Sequence, residues 1–113
     1  MKVAVIGSRS LCVDDLSPYL PPETTELVSG GAKGIDSCAK NYALVHGIKL
    51  TEFLPDYRRY GRFAAPLKRN ETIVDYADRV VALWDGVSRG TLSTINYARK
   101  AGKSLDIHWL KKP

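Results

Sequence analysis

The stretch Leu27-Val28-Ser29-Gly30-Gly31-Ala32-Lys33-Gly34-Ile35-Asp36 decides the architecture. Two apolar residues run into a serine and a pair of glycines. Helical spacing starts immediately afterwards, because Ile35, Cys38, Ala39, Tyr42 and Ala43 share one face at a 3.6-residue period. Gly47 follows where a helix C-terminus favours glycine. A buried strand, a glycine turn and an amphipathic helix make up most of a βαβ unit.

The same alternation continues in both directions. Upstream, Val3 to Ile6 is an unbroken apolar run stopped by Gly7, as expected of a strand buried on both faces. A short helix or turn is predicted over 14–20, closed by Pro21 and Pro22. Downstream, residues 48–54 alternate more, which suits an exposed strand ended by Pro55. The basic, aromatic segment after it reads as a loop. Pro66 is placed in the first turn of a helix running to about Ala77. Val80 to Trp84 is a second fully apolar run, broken by Asp85-Gly86. Leu92, Ile95 and Ala98 mark a last helix, capped by Gly102. Leu105, Ile107 and Trp109 then alternate with polar residues, the pattern of an edge strand.

The order βαβαβαβαβ predicts an α/β fold, a Rossmann-like three-layer sandwich around a five-stranded parallel sheet. The most apolar strands, first and fourth, belong in the middle, and the third and fifth at the edges. The expected order is 3-2-1-4-5. Its switch point lies between strands 1 and 4, where such sheets bind ligands beyond the strands' carboxyl ends.

Composition narrows the class. A chain of 113 residues is expected to form a single domain spanning 1–113 and to bury roughly two thirds of its unfolded surface. With 44% hydrophobic and 26% charged residues, it is not a disordered chain. No apolar run approaches a membrane span, so no membrane partner is expected. The opening MKVAVIGSRS is too short for a secretory leader and reads as a strand. Cys12 and Cys38 then read as reduced thiols of a cytoplasmic protein, with Cys38 in the core. The net charge of +5 favours anionic partners. The segment from Arg58 to Arg69 holds basic residues and no acidic one, with Tyr57, Tyr60 and Phe63 interleaved. Arg58, Arg59 and Arg62 are therefore nucleic-acid candidates.

Three loops should open at the switch point. They are Gly7-Ser8-Arg9, the stretch from Ser29 to Asp36, and Trp84-Asp85-Gly86-Val87-Ser88-Arg89-Gly90-Thr91. Gly30, Gly31, Gly34 and Gly90 would let backbone N–H groups approach an anion, and a helix N-terminus adds partial positive charge. Ser29, Ser88 and Thr91 add hydroxyls, and Arg9, Lys33 and Arg89 could neutralise a phosphate. The spacing matches neither a Walker A loop nor the GxGxxG dinucleotide fingerprint. Asp36 could take a ribose hydroxyl or cap its helix. Asn70 lies on the apolar face near the start of its helix, so it needs a partner, either ligand or loop backbone. Arg69 beside it reaches ligand or solvent. Trp84 stacks on a base or packs in the core. His46, His108 and the cysteines lack metal-ligand spacing, so neither a metal nor a cofactor is expected. Ser8, Ser29 and Ser88 have no evident base.

Taken in order, VAVIGSR at 3–9, LVSGGAKGID at 27–36, PDYRRYG…A…KRN at 55–70 and ADRVVALWDGVSRGT at 77–91 resemble the SLOG superfamily over nearly the whole chain. The likeness is strongest to its small YspA-like branch, and it extends to DprA/Smf DNA-processing proteins and LOG-type phosphoribohydrolases. The resemblance implies a Rossmann-like fold with a pocket for nucleotides or nucleotide-derived ligands. In DprA-like proteins the GSR and SGxAxGID loops bind single-stranded DNA phosphates, which maps onto Arg9, Ser29, Gly30 and Lys33. In the LOG enzymes a PGGxGTxxE motif supplies a catalytic Glu. Here that position is Thr94, and the PGG is absent as well.

The leading expectation is a sensor or regulatory domain that binds a nucleotide or nucleotide-derived ligand. Its phosphate would sit on loops 29–34 and 88–91, with Arg9 and Arg69 as charge partners. Asp36 or Asp85 would take ribose hydroxyls. Single-stranded nucleic-acid binding and a nucleotide N-glycosidase lacking the usual Glu remain the alternatives. The sequence leaves a homodimer open.

Overall fold

A computed structural model describes residues 1–111. The first strand, β1 (Lys2–Gly7), is the axis of the molecule. Its pleat turns Val3 and Val5 to one face and Ala4 and Ile6 to the other, and all four are buried. Such a strand needs cover on both sides, and both sides are covered.

The sheet is completed by β2 (Glu26–Ser29), β3 (Lys49–Glu52), β4 (Arg79–Trp84) and β5 (Ser104–Trp109). All neighbours are parallel, in the order β3-β2-β1-β4-β5. Register pairs Val5 with Val81 and Gly7 with Leu83, so the two apolar runs lie side by side in the centre. This is the α/β topology expected from the alternating pattern.

One face carries α1 (Ile35–His46). Its Ile35, Ala39 and Ala43 pack on Val3, Val5, Leu27, Val81 and Leu83, with Leu11 and Leu16 from the β1–β2 connection. The other face carries α2 (Tyr57–Tyr76) and α3 (Arg89–Lys100). There Ile73, Val74, Ile95 and Ala98 meet Ala4, Ile6, Val28, Val80 and Ala82. Between β1 and β2 the only helical piece is a 3-10 turn at Ser17–Tyr19.

Three expectations need correction. The basic segment 57–62 is helical rather than a loop, and α2 begins nine residues before Pro66. Asp56 explains the early start, because its carboxylate accepts from the Arg59 N–H at 3.2 Å and caps the helix. Gly61, at φ 80° and ψ 178°, then breaks the helix into two segments. Pro66 falls close to the start of the second segment, where loss of one N–H costs little. Asn70 is accordingly mid-helix, not near the helix start. In addition, β3 ends at Glu52, two residues short of the expected strand.

The amino ends of the strands are closed off by polar contacts. Glu26 accepts from the Tyr76 and Thr51 hydroxyls, each at 2.7 Å, and pairs with Lys49 at 3.6 Å. The Tyr76 hydrogen bond, more than any other contact, holds the Glu26 carboxyl below the ordinary range. The chain's amino group donates to the Thr25 hydroxyl at 2.9 Å, and the Lys2 N–H to Asp78 at 2.8 Å. The amino ends are thus held by side-chain contacts, with Arg79 Nε at the start of β4 buried and without a hydrogen-bond partner among the described residues.

Candidate functional site

Beyond the carboxyl ends of β1 and β4 there is a crevice of about 530 Å³. Strand β1 delivers Gly7, Ser8 and Arg9 to it, and the β2 loop delivers Gly30 and Asp36. Helix α2 contributes Arg69 and Asn70. From the β4 loop and the head of α3 come Asp85, Ser88, Gly90 and Thr91. The fold thus brings these residues, far apart in sequence, to one place.

Six other candidates do not face the crevice. Ser29 is fully buried, and its hydroxyl lies 3.5 Å from the Gly31 N–H. Gly31 sits against Leu54 and Glu52 instead. Gly34 has φ +71°, and a Cβ there would run into the Arg9 carbonyl, so this glycine lets two loops abut. Lys33 and Arg89 are exposed and do not line the crevice. Trp84 is a packing residue, since its indole N–H donates to the Ser88 carbonyl at 3.0 Å and its ring lies 4.9 Å from that of Trp109.

The β2 side of the crevice is tied to the protein itself. Arg69 donates from Nη1 to the Gly30 carbonyl at 2.7 Å and from Nε to the Asn70 side-chain oxygen at 2.8 Å. A Cβ on Gly30 would stand 2.5 Å from that guanidinium, so glycine here makes room for arginine. The Asn70 partner foreseen as ligand or backbone is therefore Arg69. Asp36 accepts from the Ala32 N–H at 3.1 Å. Burial nevertheless pushes its carboxyl above the usual range, against the pull of that bond and of Arg69. Burial likewise lowers Arg69 from its ordinary value.

The β4 side is different. Ser88 precedes α3 without capping it through its side chain. Gly90 sits in the first turn, and a Cβ on it would meet nothing within 4 Å. Asp85 accepts from the Val87 and Ser88 N–H groups at 2.9 and 2.8 Å, which shapes the turn. Opposite lies Ser8, only 1% exposed, and its Oγ has no hydrogen-bond partner among the described residues. A buried hydroxyl in that state is costly unless something else meets it.

The crevice also holds residues that the sequence pattern did not single out as site residues. Ser10 extends the β1 loop, while Ile6, Ile73 and Val87 supply apolar walls. Thr94 stands one helical turn after Gly90 and donates to its carbonyl at 3.0 Å. Its i+4 spacing from Gly90 was the signal available. Thr94 is also the position at which the LOG motif carries Glu.

The basic candidates Arg58, Arg59 and Arg62 are exposed at the start of α2. The guanidiniums of Arg59 and Arg62 lie 5.1 Å from the ring centres of Tyr60 and Phe63. Phe63 is 80% exposed. Among the described residues no group of acidic, histidine and cysteine side chains could hold a metal ion, and no helix is long and apolar enough to cross a membrane.

No family model matches the chain. The chain is 39% identical over 56 residues to an uncharacterised SPbeta prophage-derived protein, YoqJ, of Bacillus subtilis, covering 50% of this chain and 28% of that protein. Its structure matches the X-ray structure of DNA processing protein A (DprA) from Streptococcus pneumoniae with a TM-score of 0.75 at 24% identity. That match covers 94% of this chain and 49% of the other, so the chain spans about half the length of the solved protein. Over the matched half of that protein the two share one α/β fold, a five-stranded parallel sheet flanked by helices.

Proposed function

We propose that the crevice binds a nucleotide or nucleotide-derived ligand, with a phosphate at the head of α3. The observation that carries this reading is that one crevice is lined both by Ser8, whose buried hydroxyl has no hydrogen-bond partner among the described residues, and by Gly90, over which space is open. An anion there gains the N–H groups of the first helical turn and their partial positive charge. Arg9 adds a full charge. The volume, about 530 Å³, lies within the usual range for small-molecule sites. Asp36 and Asp85 both line the crevice and would accept from ribose hydroxyls. Arg69 acts mainly by holding Gly30 and Asn70 in place.

A thermal-shift screen of mononucleotides, cyclic nucleotides and ADP-ribose-type ligands tests this. At 100 times its dissociation constant, a true ligand should stabilise the fold by about 2.7 kcal/mol. No stabilisation by any of them would refute the reading.

A second reading is single-stranded nucleic-acid binding. It is favoured by the exposed Arg58, Arg59 and Arg62 beside Tyr60 and Phe63, at the start of the helix that reaches the crevice. The name of the structural match, a DNA processing protein, points the same way. Oligonucleotide affinity should then fall with salt at a slope of about −0.7 per phosphate neutralised. A flat salt response would exclude this mode.

A further inference from the structure

Cys12 and Cys38 are 26 positions apart in the chain, yet their sulfurs lie 3.2 Å from each other. Both are free thiols. Cys12 belongs to the segment leaving β1, three residues after Arg9. Cys38 belongs to the first turn of α1, two residues after Asp36. The backbones carrying them are already joined, because the Leu11 and Ile35 N–H groups both donate to the Ser8 carbonyl, at 3.3 and 3.5 Å.

A disulfide needs its sulfurs at roughly 2.05 Å, so the pair must close by only about 1 Å. Access is unequal. Cys12 is exposed, whereas Cys38 is partly buried against the core. Both line a hollow of about 580 Å³ on the α1 face, which Asp14, Asn41, Tyr42 and His46 also line and which adjoins the crevice through Arg9 and Ser10. A small oxidant can therefore reach Cys12 first, with Cys38 waiting behind it.

We propose that Cys12 and Cys38 form a reversible dithiol–disulfide site that exchanges with a low-molecular-weight disulfide of the glutathione kind. The Cys12 thiolate attacks one sulfur of the small disulfide. The sulfur–sulfur bond breaks, and one small thiolate leaves. The Cys38 thiolate then attacks the Cys12 sulfur of the mixed disulfide and expels the second small thiolate. The two protein thiol protons end on the two released thiols. The protein loses two electrons, and the small disulfide gains them. The product staples the 8–12 loop to α1, two elements that wall the crevice from one side.

The test treats the whole chain with oxidised glutathione and reads intact mass and free thiols. The expected product has lost two hydrogens, carries no glutathione, titrates no thiol and regains two thiols with dithiothreitol. Cys12→Ser and Cys38→Ser should each stop at one glutathione adduct or one free thiol. A wild-type chain that keeps an adduct, forms disulfide-linked dimers, or retains both thiols would overturn the proposal.

Discussion

The two ends of the sheet treat their polar groups in opposite ways. At the amino ends, Glu26 has hydroxyls from Tyr76 and Thr51 and the ammonium of Lys49 around it, and its carboxyl sits below the ordinary range. At the carboxyl ends, Asp36 is pushed above it by burial, and the Ser8 hydroxyl has no partner among the described residues. The first end spends its polar groups on holding strands and helix together. Each end holds one buried polar atom with no hydrogen-bond partner among the described residues, but Arg79, whose Nε is that atom at the amino ends, is still anchored through Nη1 to Asp106 at 3.0 Å, whereas Ser8 at the carboxyl ends has only its unpartnered hydroxyl to offer.

Substitutions should separate the two ends. The largest effect is expected from Glu26→Ala, which strands two hydroxyls. It should lower unfolding free energy by about 3 kcal/mol in a urea titration and leave crevice binding unchanged. The pH response follows from the sign of the shift. With its folded value lowered, Glu26 stabilises the fold above about pH 4.3, and that contribution is lost as pH falls through the lower folded value.

Gly34→Ala comes next, at about 2 kcal/mol of destabilisation, since it combines a positive φ with a clash against the Arg9 carbonyl. Ser8→Ala should act in the other direction. Removing an unpaired buried hydroxyl should stabilise the fold by about 1 kcal/mol, while ligand affinity falls severalfold. If Ser8→Ala destabilised the protein, the contrast between the two ends would fail. The smallest effect is expected from Asp36→Asn. A raised folded value makes wild-type stability decline as pH rises from about 4 through that value, so the variant's thermal midpoint should change less over the same window.

Much of this was legible in the sequence. The runs at 3–6 and 80–84 could only be central strands, and their neighbours then fixed the order 3-2-1-4-5. The crevice loops followed from that order. What the glycines do was not legible, because GGAKG looks the same whether its space is left for a phosphate or for protein atoms. Gly30 makes room for Arg69 and Gly34 for the Arg9 carbonyl, whereas Gly90 faces open space. Arg69 could not be assigned either, since its Gly30 partner lies 39 residues away. The basic segment misled because its charge suggested a loop, while the Asp56 cap that starts its helix is one side chain. The nearness of Cys12 and Cys38 depends on how the β1–β2 connection folds over α1, which no periodicity encodes.

The proposed function stands or falls on phosphate recognition at the head of α3. Its most direct test is a calorimetric titration of a nucleoside monophosphate and its unphosphorylated nucleoside into wild type and Gly90→Asp. The substitution places a carboxylate in the open space over Gly90, and an acid in a first helical turn does not weaken the helix. Wild type should bind the monophosphate at least tenfold more tightly than the nucleoside, and Gly90→Asp should lose that preference at an unchanged melting temperature. Equal binding of the two ligands to wild type, or an undiminished preference in the variant, would contradict it.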